Sequence, residues 1–382
     1  MEISVGKFDL LKELLLLQGA VERKTTIPIL ANVLAEATPE GRLLLATTDL
    51  EIGLETSCRA TVKKSGACAL PARKLLDYVR LLPDSAITLK LLENHWVSVR
   101  CGRANTRMVG MSRENFPELA TFPASGAVRL EARPLLAMIS QTIFAISTEE
   151  TRYTLSGALL VVKPHAVALV ATDGHRLAYA VNPGLTVEGV SGEIKALIPQ
   201  KAMAELQALL HEAPEDATIE FAQDESRLFF RIPAGAAAGE GAVRLLTARK
   251  LSGQFPNYEA VLPKATLQSV TLNREELRQS VRRVAQFADE RSRVIRVRVA
   301  DNKVVLAASS GDMGESEEAL EVSYDGQPVV IGYNWQYLDE FLEAVTADEV
   351  LLEFKDEVSA GQLRPRTSDG AEYRYVLMPM RI

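Results

Sequence analysis

Long apolar runs are missing from this 382-residue chain: stretches such as Leu14–Leu17 fall far short of the ~20 residues that a membrane-spanning helix needs. The opening M-E-I-S-V-G-K carries no basic-then-apolar leader, so no export signal is expected. Cysteine is scarce. Cys58, Cys68 and Cys101 are too far apart for a C-x-x-C metal or redox site, and so few cysteines suit a reducing cytoplasm. The histidines His95, His165, His175 and His211 lack the H-E-x-x-H spacing of a zinc site. There is no G-x-x-x-x-G-K-[ST] phosphate loop, no G-x-G-x-x-G helix opening and no G-x-S-x-G nucleophile elbow. No metal and no cofactor is therefore expected. The net charge of −7 argues against a chain that simply coats nucleic acid, although a basic lining can coexist with an acidic exterior.

What is present is an ordinary globular composition, 47% hydrophobic and 24% charged, in a length that suits two or three domains. One pattern occurs three times. Helical periodicity opens each copy at 5–22, 130–147 and 272–289; in the third, Leu277, Val281, Val284 and Ala288 make one apolar face. An apolar strand then runs into a polar turn: L-L-L-A-T-T-D-L-E (43–51), V-A-L-V-A-T-D-G-H (167–175) and V-V-L-A-A-S-S-G-D (304–312). A second helix follows at 70–82, 198–210 and 332–345, with Pro71 and Pro199 at the starts of two of them. Alternating strands come next at 86–92, 218–222 and 350–355. The stretches 233–242 and 359–370 read as hairpin loops. The copies recur about every 125–140 residues. The choice lies between three chance resemblances and three tandem domains of one α+β fold, each an antiparallel sheet with two helices on one face. Repetition of the whole order favours the second. The boundaries fall at 1–125, 126–260 and 261–382.

The stretch V-A-T-D-G-H-R-L-A (170–178) gathers Asp173, His175 and Arg176 in one turn. Asp173 and His175 could serve a hydrolase as orienter and base. The sibling turns carry Asp49 and Ser310 but no histidine, which favours turn capping or a binding surface. Arg274, Arg278 and Arg282 fall at i, i+4, i+8, and Lys7, Lys12, Arg73, Lys74 and Arg80 lie on other predicted helices. Each is read either as a solvated helical face or as part of a basic lining along a phosphate backbone. The acidic run at 312–321 is either a solvated loop or an edge that docks the basic R-C-G-R-A-N-T-R (100–107) of another copy; the latter contact is head to tail and can close a ring.

Taken together, T-I-P-I-L (26–30), T-D-L-E (48–51), P-A-R-K (71–74), R-Y-x-L-x-G (152–157), A-T-D-G-H-R-L-A (171–178), F-P-N-Y (255–258) and Y-V-L-M-P-M-R-I (375–382) resemble the bacterial sliding-clamp family, the beta subunits of DNA polymerase III. The resemblance covers the whole chain. It implies three tandem DNA-clamp domains, sheets outside and two helices per domain inside, closed into a ring as a head-to-tail homodimer around duplex DNA. It implies no catalysis: the ring tethers the polymerase and raises effective concentration. A non-DNA-binding scaffold and a hydrolase using Asp173 and His175 are the alternatives.

The implied partners are duplex DNA without sequence preference, the polymerase III alpha subunit, the clamp-loader delta subunit, and other polymerases and repair proteins bearing short clamp-binding peptides. The implied location is cytoplasmic. Implied DNA contacts are Lys24, Arg73, Arg152, Tyr153 and Lys201. The implied peptide pocket comprises Leu155, Thr172, Gly174, His175, Arg176, Leu177, Pro256, Val261, Asn334, Tyr337, Val358, Val376, Met378, Pro379, Met380 and Arg381. The implied dimer interface holds Arg103, Arg107, Met108, Phe287, Glu315 and Glu318. The chain departs from the family pattern at Thr154, Gln200, Glu259 and Ala260, where aromatic or basic residues are usual.

Overall fold

The computed structural model describes the chain except residues 23–25, 150, 186, 191, 236–237, 240, 264–267 and 368–369. Among the described residues six α-helices form: α1 (Lys7–Leu16), α2 (Ala72–Leu81), α3 (Ala132–Thr142), α4 (Gln200–His211), α5 (Arg274–Val284) and α6 (Trp335–Ala344). Five fall within a stretch whose spacing predicts a helix, and α4 runs one residue past its stretch, to His211. Asn273 and Asn334 start α5 and α6 by accepting the N–H groups of Glu276 and Gln336, each at 3.0 Å. Leu277, Val281, Val284 and Ala288 are all buried.

The chain divides into two compact units. One is Met1–Leu136, Val187–Gly189 and Lys201–Lys250; the other is Ala137–Thr186, Val190–Gln200 and Leu251–Ile382. Each contains one antiparallel eight-stranded sheet, and the two sheets match strand for strand. In the first unit the order is Gly66–Pro71, Asn32–Thr38, Arg42–Thr48, Ile52–Arg59, Val243–Arg249, Arg227–Pro233, Thr218–Gln223, Val128–Glu131. In the second it is Ile194–Pro199, Gly157–Lys163, Ala166–Thr172, Arg176–Pro183, Glu372–Leu377, Gly361–Pro365, Glu349–Phe354, Gln268–Asn273. Each sheet thus joins four strands of one repeat to four of the next. The repeats are three in sequence, while the compact units are cut halfway through the middle one.

Smaller sheets complete the units. In the first, Thr61–Lys64, Glu2–Gly6, Ala86–Leu91, Trp96–Cys101 and Ala104–Val109 lie in that order; in the second, Gly314–Glu321, Lys303–Ser310, Val294–Ala300 and Val329–Asn334 do. Ala104–Val109 and Gly314–Glu321 are therefore edge strands with unpaired backbone groups.

One loop expectation is overturned. Within 359–370, Gly361–Pro365 is a strand paired on both sides. Its polar composition hides an inward set: Leu363 is fully buried, and the buried Gln362 amide reaches the Glu353 carboxylate at 2.6 Å. The connection between Arg227–Pro233 and Val243–Arg249 remains a hairpin link, closing at Pro233 opposite Val243; residues 236, 237 and 240 lie outside the described set.

The three cysteines are free and buried. Burial pushes the Cys58 thiol up to about 12 and the Cys68 thiol to about 11. Thiolate is the reactive form, so both should resist a thiol reagent at pH 8 in the native protein and react only on unfolding. Labelling followed by mass spectrometry checks this; rapid native labelling of Cys58 would contradict the packing.

Candidate functional site: an apolar cavity behind a capped turn

The turn from Thr172 to Leu177 is built by its own side chains. The Thr172 hydroxyl donates to the Arg176 carbonyl and accepts the Gly174 N–H at 3.1 Å. The Asp173 carboxylate accepts the N–H groups of His175 and Arg176 at 2.9 and 3.0 Å. Gly174 has φ +90°, which suits glycine, and a Cβ there would meet Arg152 NH1 at 2.8 Å. The first repeat builds the same turn: Thr48 bonds the Ile52 carbonyl at 2.7 Å and the Leu50 N–H at 3.0 Å, while Asp49 accepts from Glu51 and Ile52. Asp173 is thus a turn cap. His175 is exposed. With the Asp173 carboxylate already committed to backbone and guanidinium donors, no base-and-orienter pair forms.

Arg176 is the anchor beneath the turn. Its Nε bonds Asp173 at 3.0 Å, NH1 reaches Glu340 and lies 3.3 Å from the Tyr375 hydroxyl, and NH2 donates to the Phe144 carbonyl at 2.6 Å. Its guanidinium carbon lies 4.2 Å from the Tyr337 ring centroid, a cation–π distance. Burial works against its charge, but Tyr375 and Glu340 outweigh that and push its pKa higher still. Burial, and then the Asp173 carboxylate, push the Tyr337 phenol up.

Over this anchor lies a cavity of about 120 Å³, lined by Leu155, Thr172, Gly174, Arg176, Leu177, Pro256, Tyr258, Val261, Val376 and Met378. All but Tyr258 are among the expected pocket residues. Tyr258 belongs to the F-P-N-Y stretch and stacks on Tyr179 with ring centroids 5.8 Å apart, making a rigid aromatic wall. Met378 sits at the lip, 41% exposed, fixed by its N–H to the His175 carbonyl at 2.9 Å. A flexible thioether at the mouth of an apolar cavity accommodates varied apolar anchors.

The remaining expected pocket residues do not line this cavity. Asn334 caps α6 and Tyr337 is held against Arg176. Val358 is 84% exposed on a turn capped by Asp356. Met380 ties the C-terminal segment down through its N–H to the Gly332 carbonyl at 2.8 Å, with Pro379 half-buried before it and Arg381 exposed after it. The Thr154 methyl packs against Gly253, where a Cβ would meet it at 2.6 Å.

The basic residues divide into engaged and free. Arg278 and Arg282 both bond the Asp339 carboxylate of α6, at 3.0 and 2.7 Å, and Arg278 also reaches Glu343 at 3.0 Å. Burial would raise Asp339, but these two arginines outweigh it and hold the carboxyl below its ordinary value. Arg274 donates to the Leu342 carbonyl at 3.3 Å. The expected stripe on α5 is therefore largely a neutralised seam against α6. Lys12 pairs with Glu212 at 2.7 Å, and Lys201 pairs with Asp49. Arg152 donates to the Asp173 carbonyl at 2.6 Å and pairs with Glu149 at 2.9 Å, so it braces the turn. Tyr153 is 73% exposed. Arg73 and Lys74 are exposed on α2, without a partner among the described residues. Lys24 lies outside the described residues.

Arg103 and Arg107 are exposed at the Ala104–Val109 edge, and Glu315 at the Gly314–Glu321 edge. Glu318 is instead tied to Arg283 at 2.9 Å and Ser280 at 2.7 Å. Phe287 is half-buried. Met108 is only 8% exposed and is part of its own unit's core, whereas the neighbouring Val109 is 57% exposed. Strand alternation explains the difference.

Residues 1–120, 129–257 and 259–381 match, in order, the N-terminal, central and C-terminal domain families of the DNA polymerase III beta subunit. The beta sliding clamp of Vibrio cholerae is 31% identical over 385 residues, and that of Caulobacter vibrioides 32% over 388, each with both chains fully covered. Among solved structures, a Bartonella birtlesii sliding clamp bound to griselimycin superposes with a TM-score of 0.91 at 32% identity. A Pseudomonas aeruginosa sliding clamp bound to griselimycin gives 0.89 at 30%; both alignments cover 100% of each chain.

Proposed function

Because this chain belongs to the DNA polymerase III beta subunit family, the beta sliding clamps, we propose that two copies close head to tail around duplex DNA and tether partners through the cavity over Arg176. The chain is a DNA sliding clamp, a processivity factor and not an enzyme. The observation that carries the ring is the full-length match of three tandem repeats, with a free strand edge on the smaller sheet of each unit. A basic edge at Arg103 and Arg107 and an acidic one at Glu315 suit a heterologous contact, which closes when the rotation permits. In this reading the domains are 1–125, 126–260 and 261–382, and the ring works in the cytoplasm on chromosomal DNA. Among the described residues no helix is long and apolar enough to cross a membrane.

A ring holds DNA by topology, so its phosphate contacts need not be strong. The pairing of most helix cations with carboxylates supports sliding over tight binding: few charges remain to release counterions. Arg73, Lys74 and Tyr153 are the best-placed DNA contacts in the described set. Loaded by a clamp loader onto nicked circular DNA, the protein should stay bound to circles and be lost once the DNA is linearised. Equal retention on both forms removes the ring.

The partner is a short peptide with bulky apolar side chains, such as the tail of the polymerase alpha subunit or a segment of the clamp-loader delta subunit. The cavity's apolar walls and the Met378 lip support this. Met378→Asp places a charge at an exposed lip without disturbing the core. It should weaken a fluorescent polymerase tail peptide by tenfold or more, roughly 1.4 kcal/mol. Unchanged anisotropy would remove the cavity from the partner site.

A further inference from the structure

The two eight-stranded sheets place the same junction in both units, yet the faces beside it differ. In the second unit Leu159, Val161, Ala168, Val170 and Val181 form a closed apolar cluster packed by Tyr179 and Tyr258. The registers set Leu34, Glu36, Leu44, Ala46, Glu55 and Ser57 at the matching places of the first unit. There Leu34 and Ala46 are buried in a smaller cluster with Phe116, and the face opens beside it at Leu44. A cavity lies over it, walled by Phe116, Leu119 and Phe122. That volume, about 620 Å³, falls in the range of pockets that hold ligands, about 300–1,000 Å³.

Its charges are unevenly spent. Arg231 is matched by Glu220 at 2.8 Å and stacked 3.8 Å over the Phe122 ring. Arg113 faces Glu36 at 3.8 Å. Among the described residues Arg42 has only the Ser57 hydroxyl. Glu55, half-buried where the sibling sheet has Tyr179, has no hydrogen-bond donor or cation among the described residues. Burial pushes its carboxyl up, the mark of a group that lacks a partner. A sheet face shaped only for packing gains nothing from an unpaired carboxylate in place of a tyrosine.

Arg42 and Ala46 lie on one strand, and Glu55 pairs with Ala46. Four residues of strand span about 13 Å between the two backbone positions, and the Arg42 side chain leans in from its end to the Ser57 hydroxyl beside Leu44. Leu44, 40% exposed, lies between them. We propose that this cavity is a second docking site, for an extended peptide with two bulky apolar residues between a basic side chain and a carboxylate. The basic group meets Glu55, the carboxylate meets Arg42, and the apolar pair packs on Leu44, Phe116 and Phe122. The proposal rests on the partner-tethering reading only for its class of occupant, a peptide.

The test uses the full-length clamp and the probe fluorescein-Gly-Lys-Leu-Phe-Asp-Gly-amide. Saturable binding is expected, about tenfold weaker for Glu55→Gln and lost in Leu44→Arg. The uncharged analogue with Gln and Asn in place of Lys and Asp should also bind about tenfold more weakly. Met378→Asp should leave the probe's affinity unchanged, and Leu44→Arg should still bind a polymerase tail peptide, which shows that it is folded. No saturable binding, equal binding of the uncharged analogue, or loss in Met378→Asp but not in Leu44→Arg overturns the proposal. Failure of the polymerase peptide alone counts against the first cavity and leaves this one standing.

Discussion

Arg244→Met, with Glu13 left in place, is expected to cost about 3–5 kcal/mol of stability, because it strands a buried carboxylate. Arg244 lies on the Val243–Arg249 strand and Glu13 on α1; their side chains are 1% and 2% exposed. Arg244 Nε and NH2 bond the two Glu13 oxygens at 3.1 and 2.7 Å, and the Thr56 hydroxyl also donates to Glu13. The pair ties a strand of the second repeat to the opening helix of the first. Its worth must be separated from the cost of breaking it. Desolvating both ions offsets most of their attraction, so Glu13→Leu with Arg244→Met should recover most of the loss. Urea unfolding of the wild type, both single variants and the double variant forms the required cycle. A single variant within about 1 kcal/mol of wild type, on the same scale as an exposed pair, would contradict the buried geometry.

That pair also marks the limit of what the linear chain discloses. The apolar strands, the paired helices and the repeated Asp-capped turn are local patterns, so they are legible from spacing alone. Asp49 and Asp173 could be read as caps because an aspartate reaches its own next two or three N–H groups without help from elsewhere. The fate of the cations is different. Arg278 and Arg282 look like a phosphate-facing stripe until α6 brings Asp339 between them. Lys201 looks free until the fold delivers Asp49, distant in sequence but adjacent in space. Met108 and Val109 are both apolar, and only strand phase tells which one faces the core. The cavity was readable from the family motifs at nearly every lining residue. Tyr258 was missed although its F-P-N-Y motif was recognised, because a motif does not say which of its side chains turns inward. The open face over Glu55 had no local signal at all: it depends on comparing two sheets in register.

Arg176→Ala should be the most damaging change at the cavity proposed to dock partners. The guanidinium makes contacts with Asp173, Glu340, Tyr375 and the Phe144 carbonyl from a residue that is 8% exposed. Removing it leaves the buried Tyr375 hydroxyl and the Phe144 carbonyl without their donor, and leaves Asp173 and Glu340 facing each other's charge. Breaking such a buried network is expected to cost about 3–5 kcal/mol. The cavity should suffer beyond this loss of stability, because Arg176 and Leu177 are consecutive and Leu177 forms its wall. Arg176→Lys separates charge from geometry. A lysine keeps the positive charge but cannot direct a planar fork at Asp173, Glu340 and the carbonyl while stacking on Tyr337. It should therefore recover only part of the stability and little of the affinity for the polymerase tail peptide. Urea unfolding and peptide anisotropy, measured well below each variant's unfolding midpoint, distinguish these effects. Wild-type peptide affinity in Arg176→Lys would mean that the cavity needs only a charge behind it, and the anchoring role of the guanidinium fork would be lost.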